Sequence, residues 1–253
     1  MTTAQALTAW YLYGVVDAGD LDVGTEARLV TEGPLAAVVT AVPLSEYGEE
    51  ELAERLNDRV WLEQHALAHQ RTLERVAAAT AVVPFRFGAI YRELESVRAL
   101  LRDRHRELVA ALERVRGRVE IGVKAWAEPD RLAAALAGAT ADGSSGRGYL
   151  EHRLKEQQQA RTAAARLSEI AHVAHARLIA CAVDGVANRP QPPELSGREE
   201  TMILNAAYLV DGGGDGLAAE ASRLQAMHRD DGVTFEVTGP WPPYNFVDVR
   251  ETS

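Results

Sequence analysis

Between residues 149 and 183 the chain contains neither glycine nor proline and is rich in Ala, Gln, Glu and Arg. A single helix of about 50 Å is sterically allowed over such a run at 1.5 Å per residue. Directly ahead of it, residues 138–148 collect Gly, Ser, Asp and Thr with almost no large apolar side chain, the composition of a connection between elements. A long helix launched from such a connection divides the chain. The predicted organisation is an N-terminal domain over residues 1–138, a linker over 139–148 and a C-terminal domain over 149–253; a chain of 253 residues suits two modest cores better than one large one. The halves of the helix differ. Leu167, Ile170, Ala174, Leu178 and Cys181 form an apolar stripe, whereas residues 151–166 offer only Leu154 among large apolar side chains and should be solvated or bound to a partner.

In the N-terminal part, residues 10–16 are aromatic and β-branched and predict a half-buried first strand. Residues 35–42 follow the turn signal Gly33-Pro34, and residues 28–32 can pair back across it as a hairpin. Asn57 or Asp58 can cap a helix through Thr80, because Leu62, Ala66, His69, Leu73 and Val76 recur at steps of four and three. Residues 82–87 read as a short strand. Leu94, Val97, Leu101, Leu108, Leu112 and Val115 mark a second amphipathic helix with a polar gap at Arg104 and His105. Val119, Ile121, Val123 and Ala125 then alternate with Glu120, Gly122, Lys124 and Trp126, the period of a strand with one covered face. These elements predict a ferredoxin-like α+β sandwich, with the helices on one face of the N-terminal sheet. Residues 129–137 read as a short helix and 184–197 as Pro-rich loop. A strand over 201–210, a helix over 216–229 and a strand over 233–238 make a smaller α+β C-terminal domain that includes the long helix.

Several function classes are disfavoured by composition. With 27 basic and 37 acidic residues the formal charge is −10, a field that repels phosphate backbones and anionic headgroups. Cys181 is the only cysteine, so neither an internal disulfide nor a Cys-based zinc site is expected. Residues 1–9 lack the basic start of an export signal, and no apolar run approaches the roughly 20 residues of a membrane helix. A cytoplasmic protein is the expectation.

The motifs that could carry chemistry are each incomplete. His65 and His69 stand at i and i+4, but Ala-Leu-Ala separates them and the Glu of a metalloprotease helix is missing; a buried, hydrogen-bonded His69 is the plainer reading. Glu169 and His172, with His175 beyond, have the spacing of half a di-iron site whose second half is not found. The loop Gly212-Gly213-Gly214-Asp215-Gly216 precedes a helix, yet no Lys-Ser/Thr follows and Asp215 puts negative charge where a phosphate would sit. Cys181 is expected to be an inert buried thiol. No catalytic residue, cofactor or metal is predicted; the alternative is a small-ligand- or metal-binding enzyme or sensor built on the histidine pairs or the Gly-rich loop.

A more informative feature is the sheet face expected to lie away from the helices. If Val83, Phe85 and Phe87 point at the helices, Arg86 points the other way, beside Glu120, Lys124 and Trp126 and, in one register, Tyr11 and Tyr13. Such a face suits protein docking, or is covered by the C-terminal domain; both readings stand. Were Arg86 buried it would need a partner, and Glu120 is the expected one. Aromatics on such a sheet also suggest RNA recognition, but the strand motif is absent and the charge has the wrong sign. Trp241, Tyr244 and Phe246 lie in a Pro-rich extended segment expected to pack on the second domain or to enter a partner's groove.

Six segments together resemble the GvpL/GvpF family of gas-vesicle proteins: Tyr11-Leu12-Tyr13-Gly14-Val15-Val16; Leu35-Ala36-Ala37-Val38-Val39 with Glu46-Tyr47; Val83-Pro84-Phe85-Arg86-Phe87-Gly88; Gly117-Arg118-Val119-Glu120-Ile121-Gly122-Val123-Lys124; Leu204-Asn205-Ala206-Ala207-Tyr208-Leu209-Val210; and Gly239-Pro240-Trp241-Pro242-Pro243-Tyr244-Asn245-Phe246. Phe85 and Ala89 stand where the family more often has Leu and Thr. The resemblance implies a two-domain accessory protein associated with the gas vesicle. It would contact the major shell protein and other accessory proteins as adaptor, nucleation factor or minor vesicle component. It implies no enzymatic activity, no nucleic acid, no membrane and no small-molecule substrate.

Overall fold

The computed structural model describes residues 8–128, 131, 148–192 and 197–247. The chain divides into two compact units, one formed by Met1–Val119 together with Trp241–Ser253, the other by Glu120–Pro240. The class is α+β with antiparallel sheets, as the sequence predicts. The linker expected over residues 139–148 and the short helix over 129–137 fall almost wholly outside the described residues.

The first unit is built on a five-stranded sheet of order β2-β3-β1-β4, with β5 also paired to β1. Its strands are β1 (Thr8–Asp17), β2 (Arg28–Glu32), β3 (Leu35–Pro43), β4 (Val83–Pro84) and β5 (Ile90–Tyr91). The predicted hairpin forms with Glu32 opposite Leu35, and Gly33 supplies the positive φ, 57°, that a two-residue turn requires. Short helices α1 (Leu44–Tyr47) and α2 (Glu49–Arg55) lead to α3 (Arg59–Ala79). The Asp58 carboxylate caps α3 by accepting from the Val60 and Trp61 amides at 3.0 and 3.2 Å. The polar gap seen in the sequence is a real break: α4 (Leu94–Asp103) and α5 (His105–Val115) are separated at Arg104, which leaves the helical region at φ −106°, ψ 17°.

Helices cover both faces of this sheet, where the sequence placed them on one. Leu12, Val15, Leu35, Ala37, Val39, Val83 and Phe85 pack with Val97 and Leu101 of α4 and Leu108 and Leu112 of α5. On the opposite side Val16, Ala36, Val38 and Val82 pack with Leu73 and Val76 of α3, and beside them lie Ala9, Tyr11 and Val42. A bulge between Leu12 and Gly14 shifts the β1–β3 register by one residue, so that Leu12 and Val15 share a face. Gly14 is required here, because a Cβ would stand 2.8 Å from the Val83 carbonyl oxygen. Each fully buried Leu or Val contributes about 1.5–3 kcal/mol of transfer free energy.

The second unit contains β6 (Arg118–Ala127), α6 (Gly148–Ile179), β7 (Asp184–Ala187), β8 (Thr201–Asp211), α7 (Asp215–Met227) and β9 (Val233–Trp241). Its sheet has the order β7-β8-β6-β9. A βαββαβ chain with its first strand between the third and the fourth has the ferredoxin-like arrangement. The sequence reading assigned that arrangement to the N-terminal half and used the alternating strand after Val119 to complete it; the structure makes that strand a central member of the second sheet. Alternation reports that a strand has a covered face, and any sheet with a free edge could take it. Strand β7 lies within the stretch read as loop.

Along α6, Leu167, Ile170, Ala174 and Leu178 are buried as the stripe predicts; in the half read as polar Leu154 is 64% exposed, but Ala163 is buried as well. Cys181 is exposed, contrary to expectation. The helix ends at Ile179, so the three-residue step from Leu178 to Cys181 no longer leads inward. In α7, Glu220 is 6% exposed and receives Arg177 at 2.6 Å and Arg223 at 2.8 Å.

Candidate protein-interaction site

The nine candidate residues do not share one face. Tyr11, Tyr13, Arg86, Trp241, Tyr244 and Phe246 belong to the first unit, and Glu120, Lys124 and Trp126 to the second. In the second unit Glu120 and Trp126 are buried at 6% and 3% exposure and Lys124 is half-buried. The Arg198 guanidinium lies 4.5 Å over the Trp126 ring and pairs with Glu236 at 2.7 Å. Trp126 is thus a packed side chain with a cation stacked on it.

In the first unit the aromatics converge on a histidine. Tyr11, 4% exposed, places its hydroxyl 2.7 Å from His69 Nδ1. On the other side of the ring, His69 Nε2 lies 2.9 Å from the Tyr244 hydroxyl. The Gly88 amide donates to the Tyr11 oxygen at 3.3 Å. The arrangement that uses each proton once has Tyr11 donating to Nδ1 and Nε2–H donating to Tyr244. Tyr13 stacks on the imidazole at 5.5 Å, and Phe87 meets it edge-on at 5.9 Å. Nearby, Trp61 and His65 stack at 4.0 Å, and His65 Nδ1–H donates to the Trp61 carbonyl at 2.7 Å. Burial pushes the His69 imidazole down to about 4, against a smaller opposing effect of the Phe85 backbone. Burial also raises the Tyr11 phenol and pushes Tyr47 up to about 12.

These positions follow from local structure. His69 occupies the buried stripe of α3 with Leu73 and Val76. Tyr11 and Tyr13 lie on the α3 side of β1, Tyr11 ahead of the bulge and Tyr13 within it. The ladder of β4 ends at Pro84, and Gly88 turns the chain with φ 92°. Phe87 therefore joins Tyr11 instead of following Val83 and Phe85 as strict alternation predicts. Arg86 is exposed and has no hydrogen bond or ion pair among the described residues, which removes both the premise and the pairing expected with Glu120.

The segment after Pro240 differs from its expectation most of all. The sequence reading favoured packing on the second domain, yet Trp241–Ser253 belongs to the first unit. Phe246 is 5% exposed, Val247 packs against the sheet-and-helix cluster of α4 and α5, and Tyr244 reaches His69 while remaining 37% exposed. Aromatics in a segment too Pro-rich for a helix are covered by whichever core has room, and the sequence alone does not say which. The histidine network was visible only in part: His69 was predicted to be buried and bonded, but neither tyrosine partner carries a local signal.

Other candidate groups are engaged structurally. Glu169 is exposed and paired with Arg166 at 2.9 Å, and His175 Nδ1 meets the Tyr208 hydroxyl at 2.7 Å. In the Gly-rich loop, Gly214 occupies the N-cap of α7 with φ 80° and no side-chain cap, and Asp215 lies in the first turn. Among the described residues no cluster of three or more His, Cys, Asp or Glu side chains could hold a metal, and no helix is long and apolar enough to cross a membrane.

Residues 9–248 match the family described as "Gas vesicle synthesis protein GvpL/GvpF". Gas vesicle protein L of a Streptomyces species is 38% identical over 241 residues, covering 94% of this chain and 90% of that protein. Gas vesicle protein F2 of Halobacterium salinarum is 29% identical, covering 95% of this chain and 92% of that one. The crystal structure of GvpF from Anabaena superposes with a TM-score of 0.72 at 18% identity, over 97% of this chain and 98% of that one. A match that spans both units and includes the returning C-terminal segment makes this chain a member of the GvpL/GvpF family of gas-vesicle proteins.

Proposed function

We propose that the chain acts during gas-vesicle assembly by binding the major shell protein and other accessory proteins in the cytoplasm, as an adaptor or nucleation factor, with no bond-making step of its own. The observation that carries this reading is the family match from residue 9 to residue 248. It is supported by the engagement of the groups best suited to catalysis: the His69 ring is bonded at both nitrogens, and burial keeps it neutral near pH 7. A wall that encloses gas presents apolar surface to it, so unassembled subunits expose faces that aggregate unless covered. An acidic protein that holds such subunits keeps them dispersed until they enter the wall.

The test is retention of co-expressed shell protein by the tagged full-length chain. Co-purification with shell protein, and with other proteins of the cluster, is expected. Failure to retain any of them overturns the reading. Metal analysis of the purified protein with a nucleotide thermal-shift screen covers the rival class, since a stoichiometric metal or a large shift with one nucleotide would favour a sensor or enzyme. Fractionation of floating vesicles separates a component of the finished wall from a transient assembly factor.

A further inference from the structure

The second sheet ends on a strand whose outer edge is only partly closed. In the order β7-β8-β6-β9, β9 has a neighbouring strand on one side only. The Glu128 amide donates to the Gly232 carbonyl at 3.2 Å, and a Cβ on Gly122 would stand 2.6 Å from Thr238 Oγ1, so Gly232 lies opposite Glu128 and Thr238 opposite Gly122 in an antiparallel register. Antiparallel ladders bond alternate residues. The even-numbered residues of β9 therefore turn their main chain to β6, and Val233, Phe235 and Val237 turn theirs outward. Helix α7 and the residue after it close the first two. The Val233 amide donates to the His228 carbonyl at 3.2 Å, the Phe235 amide donates to Gln225 Oε1 at 2.7 Å, and Gln225 Nε2 donates to the Val233 carbonyl at 3.3 Å. The Gln225 amide stands where one peptide unit of a further strand would stand.

That closure stops at Phe235. The Phe235 carbonyl, both main-chain groups of Val237 and the Gly239 amide point outward beyond Gln225; Val237 is 41% exposed, and Gly239 and Pro240 beside it are exposed as well. Proline blunts an edge by removing an outward N–H, but Pro240 falls in the inward phase and removes none of these. Gly239 leaves the extended region at φ 112°, so the regular edge ends with its amide.

We infer that this edge pairs with the same edge of a second copy of the chain, antiparallel about a two-fold axis at Val237. Each Val237 amide then donates to the Val237 carbonyl of the other copy, and each Gly239 amide to the Phe235 carbonyl of the other copy. The set of groups that Gln225 leaves outward is thus complementary to itself, and no bond of Gln225 is broken. Neighbouring registers fail: an axis at Glu236 opposes two carboxylates and requires the Phe235 amide that Gln225 holds, and an axis at Thr238 requires the Gly239 carbonyl, where extended geometry has ended. The Val237 axis sets Glu236 opposite Thr238 and Phe235 opposite Gly239, with no like charges opposed. Residues 235–239 at about 3.4 Å each make a contact about 17 Å long. Such a contact buries less than about 1,200 Å², the class of weak, exchanging dimers, and a two-fold contact closes at two copies. The inference goes beyond the proposed function and does not depend on it.

The experiment is sedimentation velocity on the full-length chain from about 5 μM to about 1 mM, the range in which a weak dimer forms. A monomer that converts to dimer with rising concentration is expected. Val237→Pro deletes the two central donors and, being outward, leaves the ladder to β6 intact; it should weaken the dimer at least about tenfold, with circular dichroism confirming the fold. Cysteine cross-linking reads the register without depending on that variant. In a Cys181→Ser background, Val237→Cys should give a disulfide-linked dimer on mild oxidation, because the axis brings the two Cα atoms to about 5.5 Å. Thr234→Cys, exposed on the same strand but outside the paired span, should stay monomeric. A monomer at every concentration, a dimer that Val237→Pro leaves unchanged, or cross-linking at position 234 equal to that at 237 overturns the inference.

Discussion

The two units solve the same problem, covering an antiparallel sheet, in opposite ways. The second is one continuous stretch of chain, Glu120–Pro240, organised as a ferredoxin-like sandwich whose long helix contributes the buried stripe from Ala163 to Leu178. The first is discontinuous. Its sheet carries helices on both faces, and it is completed by residues from the far end of the chain, with Tyr244 reaching His69 and Val247 reaching the α4 and α5 cluster. The polar interiors differ as well. The second unit buries a carboxylate held by two partly exposed arginines, and the first buries a neutral imidazole between two phenols. A buried charge tolerates wet partners at the rim, whereas a buried neutral histidine depends on staying unprotonated.

Core truncations give the largest expected effects and the sharpest separation. Leu101→Ala in the first unit and Leu178→Ala in the second should each cost about 2–5 kcal/mol, since both side chains are fully buried. Native-state hydrogen exchange should show the loss mainly in the unit that carries the substitution. Uniform loss across both units from either variant would break the comparison.

Acidification should come next and should act on the first unit. The folded His69 value of about 4 lies below the ordinary 6.5, so between these values the unfolded chain binds a proton that the folded unit does not. Stability from this group is complete above pH 6.5 and falls as the pH drops towards 4, by roughly 3 kcal/mol in all. Urea midpoints measured from pH 7 to pH 4 check the slope, and His69→Phe should flatten it. A slope that survives in His69→Phe would mean that another group is responsible.

Single hydrogen-bond changes should be smallest. Tyr244→Phe removes the bond to His69 Nε2 and should cost about 1 kcal/mol, with faster exchange or proteolysis over residues 241–247. Glu220→Gln should cost less, under about 1 kcal/mol, because Arg177 and Arg223 are 36% and 66% exposed. Urea melts read both, and the reverse order would show that the ion pair anchors its unit more firmly than the returning segment anchors the first.

Periodicity determined which segments become helix or strand. The stripe through His69, Leu73 and Val76 marked α3, the apolar spacing from Leu94 to Val115 marked one helix whose polar gap the structure turns into the break between α4 and α5, and the glycine- and proline-free run marked α6, because apolar spacing and breaker residues act within a few turns of chain. The buried, bonded state of His69 was legible for the same reason. Partner choice was decided only in the folded molecule. Alternation from Val119 onward says that one face of that strand is covered, and is silent on which sheet receives it. The bulge after Leu12 exchanges faces without a sequence signature beyond Gly14. Trp241, Tyr244 and Phe246 announce an aromatic segment that must be covered, and the core that covers it is the one holding His69, more than 170 residues earlier. Spacing is a local property that each segment carries by itself, whereas sheet membership and the destination of the C-terminal segment depend on which surfaces compete to be buried once all the elements exist.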